Sequence, residues 1–222
     1  MSKVLLFGEG PNDIGRRTWS KRHDDFVTSD GWLQPMVRRL RGSEGSEDGA
    51  RLRELTILPG RGHRPLQGLA LKAQIAKLRA ESEGYAAVVV ATDADSIDPA
   101  VHASKLAEIQ AGFDAIDNHV VSVACVPMAT SEAWLLADRQ AWAALGAADF
   151  SEIPRRPEEC WGRPHDPTSN HPKMMFGRVC DANDIGDHSD TRAALAEVSR
   201  FDEMERKLPV SFPPFREAAG EI

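Results

Sequence analysis

Asp93, Ala94 and Asp95 place two carboxylates one residue apart where the apolar run of Tyr85 to Asp98, YAAVVVATDADSID, stops. Carboxylates held that close repel one another unless they share a cation or a proton. A hard, oxygen-seeking ion such as magnesium is the natural partner, and manganese would serve as well. Side chains alternate along an extended segment, so Asp93 and Asp95 are expected to point the same way. The same residues also suit a plain surface turn, where Asp is common. Another carboxylate, Glu9, stands between Gly8 and Gly10 after the first apolar run, VLLF. The glycines do not make a dinucleotide fingerprint, and a glutamate there would repel a pyrophosphate unless a metal lay between them. Asp13 follows, free to cap the next helix. Glu132 sits in the first turn of a later helix, where an acid complements the dipole. Arg61, His63 and Arg64 occupy a glycine-bearing turn and could contact phosphates. Arg38 and Arg39 belong to a basic cluster that suits either a phosphate backbone or a solvated helix face.

These residues need strands that end beside one another. Val88, Val89 and Val90 are β-branched and apolar at every position, as expected of a strand buried on both faces of a parallel sheet. Ligands in such sheets bind outside the carboxyl ends of the strands, which is where Glu9, Asp93 and Asp95 fall. Strands are expected at Val4 to Phe7, Glu54 to Leu58, Val88 to Ala91 and His119 to Val126. Helices are expected over residues 16–41 with a break at Thr28 to Gly31, over Leu69 to Ala80, over Pro99 to Phe113, and from Ser131 to about Leu145. Gly42 to Gly49 reads as a short flexible loop. The alternation implies a Rossmann-like α/β fold, a mostly parallel four-stranded sheet with helices on both faces, through about residue 150. Residues 151–222 read as a loop-rich, helical C-terminal extension packed on that core. Five prolines fall between Ile153 and Pro172, followed by a short helix to Val179, a last helix over Thr191 to Leu208 and a Pro-rich tail.

The composition is that of an ordinary globular chain: 222 residues, 41% hydrophobic and 27% charged. No apolar run approaches the roughly 20 residues of a membrane span, and the first apolar stretch is too short for a signal peptide, so a cytoplasmic protein with no membrane partner is expected. Cys125, Cys160 and Cys180 form no CxxC pair and read as buried free thiols. Net charge is −7, but residues 1–80 carry 15 Lys and Arg against 9 Asp and Glu. A basic half beside an acidic half is compatible with a nucleic-acid ligand.

A Glu after the first strand and an Asp-x-Asp after a later one resemble the acidic signature of the TOPRIM fold. VLLFGEGPND, VVVATDADS, SEAWLLAD and HPK together resemble the small bacterial TOPRIM-like proteins of the DUF4276 group, related to OLD-type nucleases, over about residues 3–175. The resemblance implies a magnesium-dependent nuclease that hydrolyses phosphodiester bonds in nucleic acid, DNA first among them. It also implies work beside an ATPase of the AAA or ABC type in phage defence or a mobile element. By the same resemblance Asp93 and Asp95 hold the metal, Glu9 completes that site or acts as general acid or base, Asp13 and Glu132 add acidic ligands, and Lys173 steadies charge on the phosphoryl oxygens. The one tyrosine, Tyr85, opens a strand expected to be buried, which speaks against strand-passing chemistry. Two other readings stay open. One is a non-catalytic nucleic-acid-binding or regulatory subunit of an ATPase complex. The other is a nucleotide-sugar transferase using the Asp-x-Asp, against which Glu9 argues.

Overall fold

The computed structural model describes residues 2–20, 25–41, 45–55 and 66–222. Its centre is a parallel sheet of four strands, β1 (Ser2–Gly8), β4 (Gly45–Arg51), β5 (Ala87–Ala91) and β6 (Val121–Cys125), in the order β4-β1-β5-β6. Val4 of β1 pairs with Ala87 of β5 and Phe7 with Val90, so the two strands end side by side. All five residues of β5 are buried, as an apolar strand with packing on both faces requires.

Alternate residues of β1 and β5 feed two cores. Leu5, Phe7, Val88 and Val90 pack against Ala73, Ala76 and Ala80 of α3 (Gly68–Ser82) and Ile109 and Phe113 of α4 (Pro99–Asp114). Val4, Leu6 and Val89 face the other way, toward α2 (Leu33–Arg41), α5 (Ser131–Leu135), α6 (Arg139–Ala144), α7 (Pro172–Ala182), α8 (Ser189–Val198) and α10 (Phe212–Gly220). Trp134 of α5 is the hub of this second core, with Trp32, Phe212 and Phe215 at ring-centroid distances of 5.7, 5.2 and 5.3 Å. No helix among the described residues is long and apolar enough to cross a membrane.

On the first face, α3 and α4 approach closely at Gly112. A Cβ there would lie 2.1 Å from the backbone oxygen of Ala70. Gly112→Ala is therefore expected to push the two helices apart and to cost about 1–3 kcal/mol, read as a lower urea midpoint.

Several elements differ from the sequence reading. Residues 16–41 are not two helical segments. Arg16–Ser20 (β2) and Asp25–Ser29 (β3) form an antiparallel hairpin, and only α2 is helical. Gly15 at φ 68° starts the hairpin, and a Cβ on it would fall 1.8 Å from the Ser29 carbonyl oxygen. Thr18, Val27 and Thr28 are β-branched, which favours strand over helix. Gly45–Arg51 is an edge strand rather than a flexible loop. Its pairing is backbone to β1, while Glu47 takes the guanidinium groups of Arg41 at 2.5 Å and Arg38 at 2.9 Å. The strand expected at Glu54 to Leu58 is replaced at its start by a 3₁₀ turn, Leu52–Glu54, and residues 56–58 lie outside the described residues.

The helix expected to run to about Leu145 breaks at Asp138. That residue caps α6 through Gln140 N at 2.9 Å and takes three hydrogen bonds from Arg200. The helix expected over Thr191 to Leu208 divides at Ser199 and Arg200 into α8 and α9 (Phe201–Lys207). The Pro-rich tail is helical, because Pro213 and Pro214 occupy the first turn of α10, where no intrahelical N–H bond is lost. Cys125 and Cys180 are buried free thiols, whereas Cys160 is half-buried.

Candidate functional site

The carboxyl ends of β1 and β5 meet at a small cleft lined by Glu9, Asp13, Trp32, Ala91, Thr92, Asp93 and Pro127. Glu9 follows β1 directly, and its Oε1 accepts the hydroxyl of Thr92 across the strands at 2.6 Å. The chain then turns through α1 (Pro11–Ile14). Asp13 closes that turn by accepting the backbone N–H groups of Glu9 and Gly10 at 2.9 and 3.0 Å, and its other oxygen accepts the indole N–H of Trp32 at 2.9 Å. Trp32 reaches Asp13 because Gly31 lets the start of α2 lie against the turn. A Cβ on Gly31 would sit 2.3 Å from the Asp13 carbonyl.

Asp93 lies at the electrostatic centre. Its Oδ1 accepts the backbone N–H of Ser131 at 2.8 Å. Burial raises its carboxyl well above the ordinary range, and the charges of Glu132, Asp13, Glu9 and Asp95 add to the rise. Asp13 is also raised, chiefly by burial, against the hydrogen bonds from Trp32 and the turn. Glu132 behaves oppositely. Burial works against its ionisation, but the guanidinium of Arg192, 2.8 Å away, outweighs it and holds the carboxyl below its usual value. Arg192 also pairs with Asp187 at 2.7 Å and stacks on Phe176 with its centre 4.3 Å from the ring.

Asp95 does not point with Asp93. The strand stops at Ala91, and Asp95 takes a left-handed conformation at φ 51°, so strand alternation no longer applies. Its backbone N–H bonds the carbonyl of Ala129, and its exposed carboxylate pairs with Lys105 of α4 at 3.1 Å. Lys105 also donates to the Asp93 carbonyl oxygen at 2.7 Å.

Magnesium or manganese is expected from the sequence at Glu9, Asp13, Asp93, Asp95 and Glu132. The structure corrects this. Among the described residues, no group of three or more His, Cys, Asp or Glu side chains is arranged to hold a metal ion. The physical reason is that every one of these carboxylates already accepts from a protein donor: Thr92, the Glu9 turn and Trp32, Ser131, Lys105, or Arg192. The mutual repulsion that suggested a metal is relieved by those donors and by a raised affinity of Asp93 for its proton.

Lys173 is exposed in the first turn of α7, next to the buried His171, whose Nδ1 accepts the Lys173 backbone N–H at 3.3 Å. His171 lies within electrostatic reach of Glu132, Lys173 and Asp95, and burial lowers its pKa. Arg38 bonds Asp30 and Glu47, and Arg39 donates to the carbonyl oxygens of Ala196 and Ser199 at 2.6 and 2.7 Å, capping the end of α8. Arg61, His63 and Arg64 lie outside the described residues.

Tyr85 is half-buried before β5, at the opposite end of that strand from Asp93. Burial and a 2.7 Å hydrogen bond to Asp48 push its pKa up to about 12. Thr92, Trp32, Lys105, His171 and Arg192 are parts of the site that sequence reasoning did not single out. Thr92 and His171 lie inside the quoted motifs VVVATDADS and HPK, but Arg192, 60 residues after Glu132, carries no local signal.

No family model, curated protein or solved structure matches the chain.

Proposed function

We propose that this chain is a TOPRIM-like hydrolase of phosphodiester bonds whose carboxylates act by acid and base catalysis. The observation that carries the reading is the position of Asp93, a carboxyl with raised proton affinity amid four other acids at the ligand-binding end of a parallel sheet. Glu9, exposed and with its Oε1 accepting from Thr92, would take a proton from the attacking water. As the water oxygen bonds to phosphorus, the bond to the leaving oxygen breaks, and that oxygen takes the proton of Asp93. Lys173 would face the phosphoryl oxygens. Repulsion of the phosphate is limited because Asp95 and Glu132 have Lys105 and Arg192 as partners and Asp93 favours its neutral form. Tyr85, at the other end of β5 and holding its proton, does not suit the role of nucleophile.

A second reading is favoured by the size of the cleft, about 10 Å³, which is room for roughly one water. A site so closed and self-paired also fits a subunit that binds nucleic acid or regulates an ATPase partner without cleaving.

The test is cleavage of supercoiled plasmid and of single-stranded DNA by the wild type and by Glu9→Gln, each with chelator and with added magnesium. Cleavage that survives chelator and falls about 10²- to 10⁴-fold in Glu9→Gln is expected. Cleavage by neither protein would favour the regulatory subunit. Cleavage indifferent to Glu9→Gln would move the chemistry away from this cleft.

A further inference from the structure

Between α6 and α7 the chain runs as a strap without regular structure apart from a 3₁₀ turn at Pro157–Glu159. Trp161 lies on it, and 44% of that residue is exposed. One aromatic neighbour supports it. The ring centroid of His171 is 5.4 Å away, with the planes 47° apart, while His171 itself is 4% exposed. A single exposed hydrophobic side chain is ordinary. This one differs in what holds it and in what surrounds it.

The strap is fixed from within. Ser169 Oγ donates to the Arg163 carbonyl oxygen at 2.7 Å, closing a loop. Asp166 accepts both the backbone N–H and the hydroxyl of Thr168 at 3.0 and 2.7 Å. Arg178 of α7 pins the loop, donating to the carbonyl oxygens of Pro167 and Ser169 at 2.6 and 2.9 Å while its Nε holds Glu152 at 2.7 Å. Beside Trp161, Gly162 packs so tightly that a Cβ would lie 3.0 Å from the Cβ of Ser169 and 3.1 Å from the His171 nitrogen. The indole is therefore presented by a backbone with little freedom, which reduces the ordering cost of a contact made on it.

Cations and the acidic end are close by. Arg163 and Lys173 are exposed cations, and His171 beneath the indole senses the charges of Glu132, Lys173 and Asp95. A rigid, half-exposed aromatic ring with cations beside it is the arrangement by which proteins hold single-stranded nucleic acid: a base stacks on the ring, and the cations meet the neighbouring phosphates. Duplex bases are already stacked and do not offer a face.

We propose that Trp161, supported by His171 and flanked by Lys173 and Arg163, is a base-stacking platform that selects single-stranded nucleic acid at the acidic end of the sheet. The proposal rests on the hydrolase reading for its substrate class, since it gives that site a strandedness, but it is tested by binding alone.

The experiment is fluorescence anisotropy of a labelled oligothymidylate, and of a labelled duplex of equal length, with the wild type, Trp161→Ala, Trp161→Phe, Lys173→Gln and Glu9→Gln. The single strand is expected to bind more tightly than the duplex, and Trp161→Ala to weaken it by about 5- to 150-fold with little effect on the duplex. Trp161→Phe, which keeps a ring on His171, retains most of the affinity and remains informative if the alanine variant folds poorly. Lys173→Gln should reduce the salt dependence of binding. Single-strand affinity within about twofold of wild type in a folded Trp161→Ala, well short of the loss that stacking predicts, would overturn the platform, as would no single-strand binding by the wild type. Loss of cleavage in Glu9→Gln with unchanged binding in Trp161→Ala would leave the hydrolase reading standing and remove only the platform. The reverse pair of results would do the opposite.

Discussion

Asp93→Asn is expected to reduce phosphodiester cleavage by about 10²- to 10⁴-fold and, in the same protein, to raise stability at neutral and alkaline pH. The first effect follows from removing the group assigned to protonate the leaving oxygen. The second follows from the direction of its pKa. Burial and four neighbouring acids raise the folded carboxyl above the unfolded value of about 3.9. Between the two values the folded chain holds a proton that the unfolded chain has released, so stability falls as pH climbs from about 4 through the folded pKa and then levels off. Asparagine keeps the oxygen that accepts from Ser131 and carries no charge, so that decline should disappear. Thermal melts across pH, paired with the plasmid assay, measure both effects. A variant that loses activity without gaining stability on the alkaline side would contradict the raised proton affinity of Asp93.

Arg192→Ala is expected to cost about 3–5 kcal/mol, because it strips the partner from Glu132, which is 7% exposed. The loss exceeds that of a typical surface pair, since an uncompensated charge remains inside the protein, and it also removes the guanidinium packed on Phe176. Against a whole-domain stability of about 5–15 kcal/mol, it brings the fold near its limit. Adding Glu132→Gln to Arg192→Ala should recover part of the loss by discharging the stranded acid. Glu132, held below its ordinary pKa, contributes stability that is present above the unfolded value and lost as pH falls through the folded one. Arg192→Ala should therefore flatten the acid side of the stability profile. Urea unfolding of both variants across pH would show this, and an additive double variant would mean that the two residues do not act as a pair.

The parallel sheet was legible because burial on two faces leaves its mark on composition: VLLF and AVVVA are apolar throughout. The position of Glu9 and Asp93 at strand ends was legible for the same reason. The hairpin was not, because Trp19, Phe26 and Trp32 can be read as a helical packing face when neither period is clean. The edge strand GSEDGAR has almost no strand propensity of its own and exists through pairing with β1. At the site, residue spacing could suggest that the acids converge but could not show what satisfies them. A single left-handed residue, Asp95, undid the inference from alternation. The donors that occupy the carboxylates are a hydroxyl, an indole, a backbone N–H, a lysine and an arginine from five separate segments, and nothing in a local motif announces such partners.

The long separation between Glu132 and Arg192 has a consequence for biosynthesis. When Glu132 and Trp134 leave the ribosome, their partners Arg192, Ser211, Phe212 and Phe215 have not yet been translated. At about 5–20 residues per second, the nascent chain spends several seconds with an acid and a large indole that cannot yet be buried together. The sheet can begin to assemble in that interval, but its acidic end cannot close until α8 and α10 arrive. Rare codons or a stall within residues 135–190 would lengthen the exposure, and chaperone dependence of the nascent chain should concentrate in that window.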